Sequence, residues 1–392
     1  MMKINQNSKF DFVYSLAALY SSQTDSIFEA KEADHNYVLK NSKAVFTEQA
    51  RASSVTESRQ TGCSFLNEKL TIPSLALYKI HNPIIFPGKI RSRHGKWHAN
   101  GQLLVTAQDG LFPESYGVMD GGRTLPSDIL SLDASEDYSL HQPKPTKLLK
   151  GRYLFLGSMH DHFGHFLVEG LSRLWILQYL SESDISSLKI IIYEPGIIPP
   201  ATKILEYLGI KKSQIYFLNE PCIVEELIAP SIAYRTHFWA RSEMNAVYEK
   251  VASAALQERP SDFPKKVFLS RNKVAARKLT NEVELESLYK EAGYWIIRPE
   301  DLPIGDQIRI AAGAECIAGC TGSNMYLALF QKKGGINHIY APYDFTLKDD
   351  AMISNIRESK LTYVIGSQLS DGRWTIDMNV ASQLLKNEIQ HG

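Results

Sequence analysis

Cysteine is scarce. The 392 residues hold four, Cys63, Cys222, Cys316 and Cys320. That is too few for a disulfide framework, and the step from Cys316 to Cys320, with no second pair, is not zinc-knuckle spacing. Reduced thiols and a cytoplasmic chain are expected. Net charge is absent too. Lys+Arg and Asp+Glu are both 43, so the basic excess of a typical nucleic-acid binder is missing. No apolar run approaches the roughly 20 residues that span a bilayer. The short run at residues 12–20 has Asp11 directly before it and lacks a clean small-residue cleavage site. It reads as an N-terminal helix packing on the body of the protein rather than as a signal-peptide core. Nucleophile-elbow, Walker and kinase signatures are all missing, which leaves those enzyme classes without support.

What is present is an ordinary globular composition, 44% hydrophobic and 22% charged, long enough for two or three domains. Residues 1–75 are polar and lack period, and are expected to form an irregular segment packed on the first domain. Between 76 and 150, short apolar runs alternate with Gly, Pro and Asn, as strands and turns do. From 151 the pattern becomes regular. The apolar run at 153–157 predicts a buried strand. Phe166, Leu167, Leu171, Leu174, Trp175, Leu177 and Leu180 then fall mainly at helical spacing. Further strands are expected at 189–193, 214–218 and 223–228, with a helix at 201–208 closed by Gly209. A helix at 241–258 precedes the Pro-containing break 260–264, where the domain boundary is placed. Beyond it, strands at 266–270, 294–297, 316–319 and a closing strand at 336–340 alternate with helices. Asn281 and Glu284 form an expected capping box for the first of these. A final helix starts near 380. The expected organisation is therefore a first α/β domain over 76–258, a second over 265–378 and a C-terminal helix over 379–392. Two such parallel-sheet domains suggest a ligand cleft where they face each other.

Three polar clusters could carry chemistry. The first is His160-Asp161-His162-Phe163-Gly164-His165-Phe166-Leu167-Val168-Glu169, after a strand and at a helix start. His165 and Glu169 are four apart and share a helical face, which Arg173 extends. Such groups suit proton transfer. The same pair also reads as a hydrogen bond that merely orients the loop. As a zinc site the segment lacks the HExxH pattern. The second cluster, Ser270-Arg271-Asn272-Lys273 with Arg277-Lys278 and Asn281-Glu282, would suit a phosphate, or is a solvated loop. The third, Gly319-Cys320-Thr321-Gly322-Ser323-Asn324, is a strand–turn–helix step whose backbone N–H groups can face an anion. It is neither GxGxxG nor a P-loop. With the arginines it describes a diphosphate pocket.

The run from Gly164 to Trp175 resembles the GH-hydrophobic-E-x-L-x-R-L stretch of glycosyltransferase family 61. Arg271, Arg277 and Asn281-Glu282 resemble its R…R…NE pattern, and Pro299-Glu300 with Asp306-Gln307 its PE…(E/D)Q pattern. Cys316 to Asn324 resembles its strand and small-residue loop, with Thr321 where many members have His. The resemblance covers about residues 150–345. It implies a GT-B fold, two Rossmann-like domains facing each other across a cleft, and an inverting, usually metal-free transfer of a hexose or pentose from a nucleotide-sugar to a glycan hydroxyl. Bacterial members are often linked to surface polysaccharide. On this reading no cofactor is needed beyond the donor substrate, expected to be UDP-linked. No nucleic acid is involved, and the chain works in the cytoplasm or at the inner face of the membrane. Arg271, Arg277, Asn281, Glu300, Gln307, Thr321, Gly322, Ser323 and Asn324 would bind the donor. His165 would be the base, with Asp161, His162 and Glu169 as the other candidates. A catalytically silent sugar- or nucleotide-binding protein and a nucleotide-sugar epimerase are the alternatives.

Overall fold

The structure is a computed structural model. It describes residues 2–4, 35–38, 42–46, 63, 65–66, 69–73, 75–91, 97–105, 118–119, 122–123, 130–132, 138–140, 145–159, 162–193, 199–259 and 263–391. The expected helix at 12–20 lies outside them. The chain divides into two compact units, one built on residues 73–234 and the other on residues 235–392 with the described parts of 34–72.

The first unit is organised by β1 (Leu148–Gly157), β2 (Ile190–Tyr193), β3 (Ile215–Leu218) and β4 (Cys222–Pro230). They run parallel in the order β3-β2-β1-β4. Ile190, Ile191 and Ile192 are all fully buried. A strand covered on both faces needs such an unbroken apolar run, because no residue points to water. Helix α1 (Pro199–Tyr207) connects β2 to β3 and ends at Gly209, whose φ of +86° suits a left-handed helix stop. Beyond β4 the sheet continues with antiparallel strands, Ile84–Arg91 and Trp97–Val105, while Leu77–His81 also pairs antiparallel with β4.

The second unit holds β5 (Lys266–Leu269), β6 (Trp295–Ile297), β7 (Cys316–Cys320), β8 (Ile336–Pro342) and β9 (Lys360–Gln368) in the order β6-β5-β7-β8-β9, all parallel. Ser42–Phe46 adds a parallel strand beside β9, and Trp374–Thr375 pairs antiparallel with its end. Helices α2 (Asn245–Glu258), α3 (Glu282–Glu291), α4 (Ile304–Gly313), α5 (Lys348–Ile356) and α6 (Met378–His391) complete it. A mixed α/β protein with parallel sheets is thus what the chain forms.

Three expectations need correction. The sheet does not close at 336–340, because β9 follows, and its run Leu361 to Gly366 is fully buried. The C-terminal helix is part of the second unit: Glu388 accepts from Lys266 Nζ at 2.7 Å and from the Tyr294 hydroxyl at 2.6 Å. The division falls between residues 234 and 235 rather than near 260, so α2 belongs with the second unit. Two buried arginines explain this. Arg357 donates to the Gln331 carbonyl, to Asn245 Oδ1 at 2.9 Å and to Glu249 at 3.0 Å. Arg309 donates to the Ala255 carbonyl at 3.3 Å and to Glu258 at 3.0 Å. A Pro-containing break marks flexible chain in sequence, but these charged donors pin the helix before it to what comes after.

Arg357→Ala removes the donor for all three partners while Asn245 and the Gln331 carbonyl stay buried. Loss of about 3 kcal/mol is expected, the range for breaking a buried charged contact from one side. For a unit of this size that is a fall of about 6–12 °C in melting temperature. A fall under about 2 °C would contradict the anchoring role.

Candidate active site

In an open parallel sheet, ligands collect beyond the carboxyl ends of the strands, where the order of connection reverses. Each unit has one such point. In the first, the chain leaves β1 toward β2 on one side, while β4 lies on the other. In the second, β5 leads to β6 on one side and the chain then crosses back to β7 on the other. The sequence clusters sit at these two places.

In the first unit, β1 ends at Gly157 and the first cluster follows. His160 and Asp161 lie outside the described residues. His162 is extended and precedes a single helical turn, Phe163–His165, with Phe166 N–H donating to the His162 carbonyl at 2.9 Å. The expected regular helix does not follow. Leu171 N–H reaches back five residues to the Phe166 carbonyl at 3.1 Å, a π-turn over Phe166–Gly170, and a 3₁₀ stretch runs over Leu174–Tyr179. Such wide turns are frequent at functional sites. Phe166, Leu167, Val168 and Leu171 are completely buried and fix the segment from below. A side chain at Gly170 would come within 3.1 Å of the Met159 carbonyl, so the wide turn is pressed onto the strand end. On the outer side His165 Nδ1 lies 2.6 Å from Glu169 Oε2, with the imidazole 45% exposed. The His162 ring stands edge-on to that of His165, centroids 5.2 Å apart. Arg173 does not extend this face. It turns inward, donates to the Pro230 carbonyl at the end of β4 and lies over the Phe155 ring.

In the second unit the clusters after β5 and β7 meet. The Arg271 guanidinium donates to the Thr321 carbonyl across the gap between the two strand ends. Its backbone N–H donates to Glu282 Oε1 at 2.5 Å. Burial pushes the Glu282 carboxyl up from its ordinary range, partly offset by that N–H. Thr321 is almost fully buried, and its hydroxyl has no hydrogen-bond partner among the described residues. Gly322 has φ +151° and ψ 178°, a conformation essentially reserved for glycine. A Cβ there would lie 2.1 Å from Arg271 Nη1. Gly319 lets the strands close up, since a Cβ would meet the Leu269 carbonyl at 2.8 Å. Arg277, at φ +53°, stacks on Phe345 with its guanidinium 3.9 Å from the ring centroid. Burial and the charge of Arg271 both lower its pKa. Among the described residues neither arginine forms an ion pair.

The remaining residues separate by role. Ser323 and Asn324 open the 3₁₀ stretch Ser323–Phe330, and Asn324 donates back to the Cys320 carbonyl at 3.3 Å. Glu300 is exposed on the Pro299–Asp301 turn. Gln307 braces that turn, donating to the Pro299 and Leu302 carbonyls at 2.8 and 2.9 Å. Asn281 does not cap α3 by its side chain. Its amide donates to the Ile376 carbonyl at 2.9 Å and accepts from Ile376 N–H at 3.3 Å. One residue escaped the sequence reading. Glu286 accepts from Ser270 Oγ at 2.6 Å and Asn272 Nδ2 at 2.8 Å, holding the loop after β5. Its spacing of four from Glu282 on a helix was the available signal. Among the described residues no three His, Cys, Asp or Glu side chains gather as a metal site.

The protein-family model described as Glycosyltransferase 61 matches residues 163–336, which include His165, Glu169 and the second and third clusters. Residues 163–336 belong to glycosyltransferase family 61. The family implies glycosyltransferase activity, and so a nucleotide-sugar donor and a glycan acceptor. Among curated proteins none matches the chain. No helix among the described residues is long and apolar enough to cross a membrane.

Gly322→Ala is expected to cost about 1–3 kcal/mol, from the backbone conformation and from the clash with Arg271. In an Arg271→Ala background the clash disappears. A double-mutant cycle on melting should give coupling of about 1 kcal/mol or more. Strict additivity would show that the guanidinium does not sit over Gly322.

Proposed function

We propose that the protein is an inverting, metal-independent glycosyltransferase of GT-B architecture that moves a sugar from a nucleotide diphosphate donor to a glycan hydroxyl. The observation that carries this reading is the Arg271–Thr321 contact at the switch point of the second sheet. Beside it stands a second cation, Arg277, and neither has a carboxylate partner among the described residues. Two adjacent guanidinium groups repel each other, and a diphosphate removes that repulsion. The buried Thr321 hydroxyl, without a partner among the described residues, would gain one from a phosphate oxygen.

In this reading the arginines hold the donor and His165 is the base. The acceptor oxygen attacks the anomeric carbon in line and inverts it, and His165 takes the acceptor's proton. Glu169, 2.6 Å from Nδ1, orients the ring and stabilises the imidazolium that forms. His162 lines the same face. The arginines meet the charge that develops on the departing diphosphate. A UDP-linked donor, surface-polysaccharide assembly and a location at the inner membrane face complete the proposal.

Arg271→Ala and Arg277→Ala should each weaken UDP binding about tenfold to a hundredfold with the fold intact, as expected for one charge-assisted contact. Unchanged affinity in both, by calorimetry, removes the diphosphate assignment. His165→Ala should lose about 10²–10⁴-fold in turnover with donor affinity little changed. Near-normal transfer by a stable mutant would take His165 out of the mechanism. Activity should survive EDTA; loss with rescue by Mn²⁺ or Mg²⁺ would contradict the metal-independent reading. Donor alone separates the rivals: an epimerase converts the sugar, whereas a silent binding protein leaves it unchanged.

A further inference from the structure

A second carboxyl–imidazole pair lies in the second unit, at the same edge of the sheet as the arginines. His237 occupies a tight turn in which Phe238 N–H donates to the Arg235 carbonyl at 3.0 Å. Its φ is +66°, at a turn position that Gly or Asn normally fills. One carboxyl group holds it there. His237 N–H donates to Asp349 Oδ1 at 3.1 Å, and its Nδ1 lies against Asp349 Oδ2. Asp349 is completely buried while the imidazole is 44% exposed. A non-glycine residue in left-handed backbone costs energy and persists where the surroundings over-determine it, often at a working site.

The loop that leads into α5, whose first turn holds Asp349, leads back to the arginines. It leaves the carboxyl end of β8 at Pro342, with Phe345 N–H donating to the Pro342 carbonyl at 3.1 Å. Phe345 is the ring on which Arg277 stacks, and Asp349 follows four residues later. Four residues span at most about 14 Å. Arg277 and His237 are therefore fixed to the two ends of one short loop. Next to Asp349, the Asp350 carboxyl is buried, and burial with the neighbouring Asp349 charge raises its pKa well above the carboxylate range.

We propose that His237, held by Asp349, is a further catalytic residue: it protonates the diphosphate oxygen as the sugar departs. This rests on the glycosyltransferase reading above. The bond between the anomeric carbon and the diphosphate oxygen breaks, and its electron pair stays on that oxygen. The oxygen takes the proton from His237 Nε2. The acceptor oxygen bonds to the carbon and loses its own proton to His165, and solvent reprotonates His237. The division of labour is then complete: Arg271 and Arg277 hold the diphosphate, and His237 completes the leaving group.

The test uses the full chain, calorimetric titration with UDP and GDP, and release of nucleoside diphosphate from UDP- and GDP-sugars with water as acceptor. His237→Asn is the informative variant, because Asn tolerates left-handed backbone and keeps the N–H to Asp349. His237→Gly is the second, should the first fail to fold. Either should lower the melting temperature by up to about 6–12 °C, because the buried Asp349 loses its imidazole partner, and should keep UDP affinity within about tenfold, while hydrolysis falls about 10²–10⁴-fold. Added imidazole should restore part of the activity of His237→Gly, which a merely structural role would not allow. Hydrolysis within about threefold of wild type in either folded variant overturns the proposal. So does joint loss of stability and UDP affinity in both, with no rescue. A wild-type chain that binds neither nucleotide would instead bring down the glycosyltransferase reading itself.

Discussion

One hydrogen bond organises the candidate donor site: the Arg271 guanidinium to the Thr321 carbonyl. It joins the ends of β5 and β7, the two neighbouring strands between which the connection order reverses. Everything near it is arranged around that donation. Gly322 must be glycine because the guanidinium passes where a Cβ would stand. Glu282 holds the Arg271 backbone, and Glu286 holds the Ser270 and Asn272 side chains on either side of it. The guanidinium is thereby held by a backbone carbonyl, and among the described residues it forms no ion pair. An arginine held in place with its charge unspent is what an anion site requires, since a guanidinium already paired would have to give up a carboxylate to bind a phosphate.

Arginine does a different task elsewhere in the same fold. Arg173, Arg309 and Arg357 are buried, and each donates to a backbone carbonyl that another element presents. Arg173 ties the wide turn after β1 to the end of β4. The other two draw α2 into the second unit. Arg309 and Arg357 also have carboxylates within reach, Asp306, Glu258 and Glu249, so their charge is met inside the protein. The arginines with such partners hold structure, whereas Arg271 and Arg277 lack them among the described residues.

Sequence made the parallel strands of both sheets legible, β9 excepted, because a strand buried on both faces has only one way to be written, as a short apolar run. Ile190 to Ile192 and Val267 to Leu269 were readable for that reason. The switch-point clusters were readable too, since the chain leaves the core where such a run ends and polar side chains there gather at the sheet edge. Three features were not. The π-turn at Phe166–Gly170 keeps near-helical apolar spacing, so periodicity cannot tell it from an α-helix. Asn281 sits at the start of α3 as a cap would, but Ile376, 95 residues away, offers its amide better geometry. The division of the chain between its two units depends on Arg357 meeting Asn245 and Glu249 across more than 100 residues, and no local pattern carries that.

The two carboxyl–imidazole pairs show the same contrast and explain why only one was visible. His165 and Glu169 are four apart, so helical spacing alone brings them together and the pairing could be written down from the sequence. It is also the weaker geometric statement, because both side chains are partly exposed and any helix start could make it. His237 and Asp349 are 112 residues apart and meet only through the folded sheet edge. Their pairing needs a buried carboxyl group, a turn forced into left-handed backbone and a loop shared with Arg277. Each of these carries an energetic cost that packing alone would not demand. A protein can form the first kind of pair by chance of spacing, but the second persists only where several elements agree on it.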